Sequence, residues 1–134
     1  QVLKDVGMYD VVDQLQNKED TLLLRDWSGG VDLSQGQWQK LAIARCIYGN
    51  SIISILDEPF SSIDAESESQ IISNIRTKGK GNTIIFITHR FSSITKEDQI
   101  IVLKDGSIIE KGTHDELMRN KKIYSKLHDS QKLN

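Results

Sequence analysis

Two acidic residues and a histidine follow the two most apolar runs of the sequence. Asp57 and Glu58 come directly after "IISIL", and His89 ends the run "TIIFIT". Such short apolar runs predict strands that are covered on both faces, as in a parallel sheet. Open α/β sheets bind ligands at the carboxyl ends of their strands. Two adjacent acidic residues in a loop more often cap a neighbouring group. A histidine at the same edge of the sheet favours a functional site.

A helix start supplies a second candidate site. Ser34 is predicted as an N-cap, because its hydroxyl can accept from the amide of Gln37 while the Gln37 side chain reaches back to the amide of Ser34. The amino end of a helix presents free amides and a positive dipole, which favour an anion such as phosphate. The sequence therefore combines a phosphate-attracting helix end with acidic strand ends.

The elements that carry these residues alternate as in an α/β layer fold. We predict a helical face over 1–15 that divides near Gly7, and a helix over 34–49 that is buried nearly all round. A further helix over 64–78, with Asp64 as its N-cap, joins the two predicted strands. A strand, a helix and a strand form a right-handed βαβ unit, so the strands are expected to lie parallel in one sheet.

A hairpin and a helical tail complete the chain. The segment "QIIVLKDGSIIEKG" predicts a hairpin that turns at Asp105 and Gly106, where glycine accepts a positive φ. Thr113 and Glu116 predict a second capping box at the start of the tail. The apolar points of this tail are Leu117, Tyr124 and Leu127.

Composition and charge limit the class of protein. The 134 residues are 37% hydrophobic and 27% charged, as in an ordinary globular domain. No apolar run approaches the ~20 residues that cross a bilayer. The formal net charge of -2 is spread along the chain rather than gathered in a basic patch. We therefore expect a chain of cytosolic character that does not bind nucleic acid.

Together these segments resemble the ATP-binding domain of ABC transporters of the exporter type. The run "LSQGQ" is similar to the family signature, "IISILDE" to its Walker B strand, "SSID" to its D-loop, and His89 to its switch histidine. The similarity continues through the hairpin and tail and so covers essentially the whole chain. It implies an α/β fold, the C-terminal part of a P-loop NTPase (RecA-like) core. Residues 1–49 would be part of the helical signature subdomain, and 50–134 the C-terminal half of the ATP-binding core with a helical tail.

The resemblance also implies a role for each site residue. Asp57 would orient Mg²⁺ through its water shell, Glu58 would polarise the attacking water, and His89 would bind the γ-phosphate of ATP. Asp64 would link across a dimer of ATP-binding domains. The signature residues would bind the nucleotide held by the partner domain, and they are Ser34, Gln35, Gly36 and Gln37.

Three departures from the family pattern bear on activity. Gln35 stands where the signature usually has glycine, and we expect ordinary helical φ there with a side chain that crowds the phosphate. Phe60 replaces a common threonine, which is expected to alter loop packing. No stretch satisfies G-x-x-x-x-G-K-[ST], whose amides and lysine wrap the phosphates. The complete protein is therefore expected to be an ATPase that uses ATP and Mg²⁺, whereas this chain alone is expected to be inactive.

The implied partners are transmembrane domains and a second ATP-binding domain in head-to-tail association, at the cytoplasmic face of a membrane. In that setting the chain would help to power export. Two alternatives stay open at this point: a truncated, non-enzymatic module that only pairs with other ATP-binding domains, and a soluble ABC-type ATPase. The segment "GTHDEL" and the tail favour the exporter.

Overall fold

A computed structural model describes residues 1–24, 30–49, 51–78, 81–95 and 98–132. Two compact units divide the chain, Gln1–His89 and Arg90–Asn134. In the described ranges, no helix combines the length and the apolar character needed to cross a membrane.

Among its described residues, the first unit contains four α-helices, a short 3₁₀ turn and two strands. In chain order these are α1 (Val2–Asp5), α2 (Tyr9–Asp13), the 3₁₀ turn Lys18–Asp20, α3 (Gln35–Tyr48), β1 (Ile53–Asp57), α4 (Ala65–Lys78) and β2 (Thr83–Ile87). The division of the first helical face is confirmed, because Gly7 lies between α1 and α2 with a φ of 66°.

The predicted βαβ unit is confirmed. β1 and β2 pair in parallel, with Ile53 opposite Thr83 and Asp57 opposite Ile87, and α4 connects them. The core of the unit lies where α4 meets α1, α3 and the loop that follows β1. Its buried apolar side chains include Val6, Met8, Ile43, Phe60, Ile63, Ile71, Ile72 and Ile75.

The expectation that both faces of the strands are covered is wrong for this chain. Alternate residues such as Phe86 pack against the core, but the opposite face of the pair is exposed. Ile53 and Ile55 are 61% and 64% exposed, and Ile85 and Ile87 of β2 are exposed beside them. The sheet that contains these strands has two strands in the described part of the chain, and it buries one face only.

Fewer side chains of α3 are buried than the sequence predicted. Ile43 and Ala44 are its buried residues, while Tyr48 is 82% exposed. An apolar sequence does not determine which neighbours a helix has, and α3 packs on α1 along one side. The predicted boundaries are confirmed, since Ser34 is the N-cap and Gly49 the C-cap.

The second unit holds a hairpin and two helices. Its elements are the 3₁₀ turn Phe91–Ser93, β3 (Ile100–Lys104), β4 (Ser107–Gly112), α5 (His114–Asn120) and α6 (Ile123–Lys132). β3 and β4 are antiparallel, and the predicted turn is confirmed by positive φ angles at Asp105 and Gly106. Of the apolar points of the tail, Leu117 and Tyr124 are buried, whereas Leu127 is 50% exposed.

Candidate functional site

The predicted acidic pair lies at the carboxyl end of β1, next to the end of β2. Asp57 is the last residue of β1, and the Glu58 N–H continues the pairing by donating to the Ile87 carbonyl oxygen at 2.8 Å. Glu58 then has a φ of 44°, in the left-handed region. Residues with side chains rarely adopt this region, and those that do cluster at functional sites. The chain therefore turns sharply off the strand at the acidic pair.

Glu58 and His89 are in direct contact. Glu58 Oε1 accepts from the backbone N–H of His89 at 3.1 Å and lies 2.8 Å from His89 Nδ1. The side chains are 37% and 70% exposed, so the pair faces solvent at the edge of the sheet. The prediction that a histidine emerges beside the acidic pair is confirmed. The pair therefore joins a carboxylate to an imidazole ring at the strand ends.

The amino end of α3 has the predicted capping box. The Gln37 N–H donates to Ser34 Oγ at 3.3 Å, and the Ser34 N–H donates to Gln37 Oε1 at 2.8 Å. Helix geometry leaves the amides of residues 35 and 36 without carbonyl partners in the preceding turn. Gln35 is the first residue of α3 and is exposed, which agrees with the ordinary helical backbone expected there.

Gly36 has a steric role that sequence reasoning missed. A Cβ atom at this position would lie 2.6 Å from the carbonyl oxygen of Ser62, which is far closer than van der Waals contact. The loop after β1 therefore lies directly against the first turn of α3. No local sequence pattern predicts this approach, because the two residues are 26 positions apart in the sequence and meet only in the folded chain.

The same loop ends at the N-cap of α4. Asp64 Oδ1 accepts from the Ser67 N–H at 2.8 Å, as predicted for a capping aspartate. Hydrogen bonds from Ser67 lower the pKa of Asp64, and the charge of Lys40 acts in the same direction. Phe60 is buried and contacts Phe86, with ring centroids 5.9 Å apart, so this departure from the family pattern does anchor the loop to β2.

The predicted site residues fall into two groups in this unit. Asp57, Glu58 and His89 lie together at the strand ends, whereas the described hydrogen bonds of Ser34 and Gln37 stay within the first turn of α3. The contact of Gly36 with Ser62 connects the helix start to the loop that leaves Glu58.

The donor set at the strand ends fits Mg²⁺ held largely by other ligands. Carboxylate oxygens suit this hard cation, which usually keeps several waters and takes oxygens from a bound phosphate. The described residues contain no group of three or more His, Cys, Asp or Glu side chains arranged to hold a metal.

The chain is similar to known proteins in sequence and in structure. A protein-family model described as "ABC transporter" matches residues 2–61. The chain is 41% identical over 128 residues to an uncharacterised ABC transporter ATP-binding protein, YfiC, of Bacillus subtilis, covering 96% of this chain and 21% of that protein. It is 41% identical over 122 residues to the ATP-dependent lipid A-core flippase of Escherichia coli K12, covering 91% of this chain and 20% of the flippase.

A solved structure gives the same result. The structure of a bacterial Atm1-family ABC exporter with ATP bound matches with a TM-score of 0.84 and 32% identity, covering 97% of this chain and 22% of the exporter chain. This chain therefore spans about a fifth of the length of the relatives it matches.

Proposed function

We infer that this chain belongs to the ABC transporter family and corresponds to part of the ATP-binding domain of an exporter. From this premise we propose that the complete protein hydrolyses ATP to drive export across a membrane. The contact between Glu58 and His89 at the carboxyl ends of two parallel strands carries the proposal. It supports a site in which a carboxylate and a histidine are held ready beside a bound nucleotide.

The roles of the site residues are part of the proposal. Glu58 orients and polarises the attacking water, while His89 holds the Glu58 carboxylate in place and contacts the γ-phosphate. Asp57 would help to hold Mg²⁺, which would supply positive charge to neutralise the phosphate oxygens. Positioning and charge stabilisation of this kind are the main contributions a protein makes to phosphoryl transfer.

The signature segment acts on the other nucleotide of a dimer. In the proposed head-to-tail pair of ATP-binding domains, the amino end of α3 binds the nucleotide held by the partner domain. The residues that make this contact are Ser34, Gln35, Gly36 and Gln37. Asp64 contacts the partner across the dimer. Free amides and the helix dipole at this end favour the charge of a phosphate group.

The partner segments and the location in the cell are also part of the proposal. We propose that the remaining segments of the complete protein, or its partner subunits, supply the P-loop and the transmembrane domains, and that the ATP-binding domains work at the cytoplasmic face. Residues 1–49 are proposed as part of the helical subdomain and 50–134 as the C-terminal half of the ATP-binding core with its tail. Without phosphate-wrapping amides, this chain alone is not expected to hydrolyse ATP.

Replacement of Glu58 tests the proposal in the complete protein. Glu58→Gln keeps the shape of the side chain and removes the charge that polarises water. We expect ATP binding to persist while the hydrolysis rate falls by the ~10²–10⁴ typical of losing a general base. The measurement pairs a steady-state ATPase assay with a nucleotide-binding titration.

Glu66→Gln is the matched control, because Glu66 is an exposed glutamate in the first turn of α4. It is expected to leave hydrolysis unchanged. Undiminished hydrolysis by Glu58→Gln would contradict the role of Glu58.

A further inference from the structure

Two adjacent side chains of α3 hold the loop over residues 58–64. The Ser62 N–H donates to Gln39 Oε1 at 2.8 Å, and Gln39 Nε2 donates to Ser61 Oγ. A backbone N–H can only donate, so the oxygen of the Gln39 amide must face Ser62 and its nitrogen must face Ser61. Both ends of one side-chain amide are thus committed to the same loop.

The adjacent lysine holds the far end of the loop. Lys40 Nζ donates to Ser67 Oγ at 3.0 Å, and the Ser67 N–H donates to the Asp64 carboxylate. Lys40 therefore reaches the N-cap of α4 through one intermediate side chain. Gln39 and Lys40 together hold both the middle and the end of the loop to α3.

The loop over residues 58–64 packs tightly against the first turn of α3. The Ser62 carbonyl oxygen lies 2.6 Å from the position that a Cβ on Gly36 would take, and the buried Phe60 ring packs against Phe86. A shift of the first turn of α3 would therefore displace the loop, or break the two hydrogen bonds of Gln39.

We propose that Gln39 is a positioning residue that couples the two nucleotide sites of the dimer. The inference rests on the proposed function, in which the first turn of α3 contacts the partner's nucleotide and Glu58 acts on the nucleotide of its own domain. Gln39 connects these groups within one chain, because it holds the loop between Glu58 and Asp64 to the helix that carries Ser34. Occupation of one site thereby sets the position of Glu58 in the other.

Gln39→Met tests this coupling in the complete protein. Methionine has similar length but makes neither hydrogen bond. We expect kcat for ATP hydrolysis to fall about 10-fold, since small misplacements of catalytic groups cost up to ~10²-fold, while KM for ATP stays within about two-fold. The Hill coefficient for ATP is expected to fall towards one, a change that general loss of stability would not produce.

Gln70→Met is the matched control. Gln70 is an exposed glutamine of α4 whose amide donates to Asn74 Oδ1 at 3.4 Å on the same helix. It contacts neither the loop nor α3 through this bond, so kcat and the Hill coefficient are expected to stay at their original values. An equal loss in Gln70→Met and Gln39→Met would overturn the proposal, as would unchanged kinetics in Gln39→Met.

A second variant covers the case in which Gln39→Met fails to fold. Ser61→Ala removes one of the two hydrogen bonds of Gln39 and is expected to lower kcat by a smaller factor with KM unchanged. The double variant is expected to be no slower than Gln39→Met alone, because both changes remove the same connection. Losses that multiply in the double variant, or normal kinetics in Ser61→Ala, would overturn the coupling role.

The two proposals fail in distinguishable ways. If Glu58→Gln retains hydrolysis, the proposed function is refuted and this inference loses its basis. If Glu58→Gln is inactive while Gln39→Met keeps full rate and cooperativity, the proposed function stands and only the coupling by Gln39 is overturned.

Discussion

Glu58 combines a strained backbone with a side chain that is held by its neighbours. A left-handed φ costs a residue with a side chain about 1–3 kcal/mol. The Glu58 N–H donates to the carbonyl oxygen of Ile87, the last residue of β2. The Glu58 carboxylate contacts the backbone N–H and Nδ1 of His89. These bonds offset the strain and turn the carboxylate towards the edge of the sheet. Backbone conformation and side-chain position are thus fixed together at this residue.

Gly36 is expected to be intolerant of even the smallest side chain. Gly36→Ala places a Cβ 2.6 Å from a backbone carbonyl oxygen, which cannot rotate away as a side chain would. Such overpacking destabilises by about 1–3 kcal/mol, and here it also pushes on the loop that carries Asp64. We expect a lower melting temperature and slower ATP hydrolysis in the complete protein.

Gly49→Ala serves as the comparison for this substitution. A Cβ on Gly49 meets its nearest atoms at 3.5 Å, in ordinary contact, and its φ of -65° suits alanine. Alanine at such a position is expected to be neutral or to stabilise by about 0.4–1 kcal/mol, because it restricts the unfolded chain. Equal melting temperatures for Gly36→Ala and the unsubstituted protein would contradict the close approach.

At the scale of elements, Asp5 fastens α1 to the end of α4. Its buried carboxylate accepts from Lys78 and from Gln1, and its backbone carbonyl accepts from Asn74 at 2.7 Å. Burial raises the pKa of Asp5, but the hydrogen bonds from Lys78 and Gln1 outweigh burial and hold the pKa below its ordinary value of 3.8. The charged form of Asp5 therefore stabilises the folded state.

Asp5→Asn is expected to remove a pH-dependent part of this stability. A lowered folded-state pKa contributes stability that is present above pH 3.8 and lost as the pH falls through the folded value. Because Lys78 is 42% exposed, we expect a difference of only about 1 kcal/mol at neutral pH. Urea unfolding of both proteins between pH 7 and pH 3 measures it. A difference that does not shrink towards low pH would argue against the ion pair.

Local sequence patterns predicted the elements well, for a physical reason. Helix caps at Ser34 and Asp64, the break at Gly7 and the turn at Asp105 and Gly106 depend on residues close in sequence. The strand ends followed as well, because parallel pairing brings carboxyl ends to one edge.

Contacts between distant segments were not predictable in the same way. The bonds of Gln39 to the loop and the approach of Gly36 to Ser62 depend on how α3 packs in three dimensions. The exposure of the outer strand face was not predictable for a related reason. Apolar character shows that a residue favours burial, but the neighbouring segments decide whether it is buried.

At the scale of the whole molecule, the exposed face of β1 and β2 predicts association of the isolated chain. Isoleucines at 53, 55, 85 and 87 form a contiguous apolar surface on an open parallel pair. Such faces and strand edges bind other apolar surfaces. We expect light scattering at ~100 µM to show oligomers rather than a sharp monomer with a cooperative melt.

Substitution on this face is expected to reduce the association. Ile53→Thr with Ile55→Thr keeps β-branched residues in β1 and replaces two apolar surfaces with polar ones. Tyr48→Thr is the control, because Tyr48 is the more exposed side chain at 82% but lies on α3. Equal association in all three proteins would show that another surface is responsible.

The register of the parallel pair also determines how long β1 must wait for β2 during synthesis of the chain. Ile53 finds its partner Thr83 about 30 residues later in the chain, which takes a ribosome about 2–6 s at ~5–20 residues per second. During that interval β1 has been made and its partner β2 has not. A strand without its partner has an open hydrogen-bonding edge, so any pause that delays β2 after β1 has left the ribosome is expected to lower the yield of folded protein even though it changes no residue.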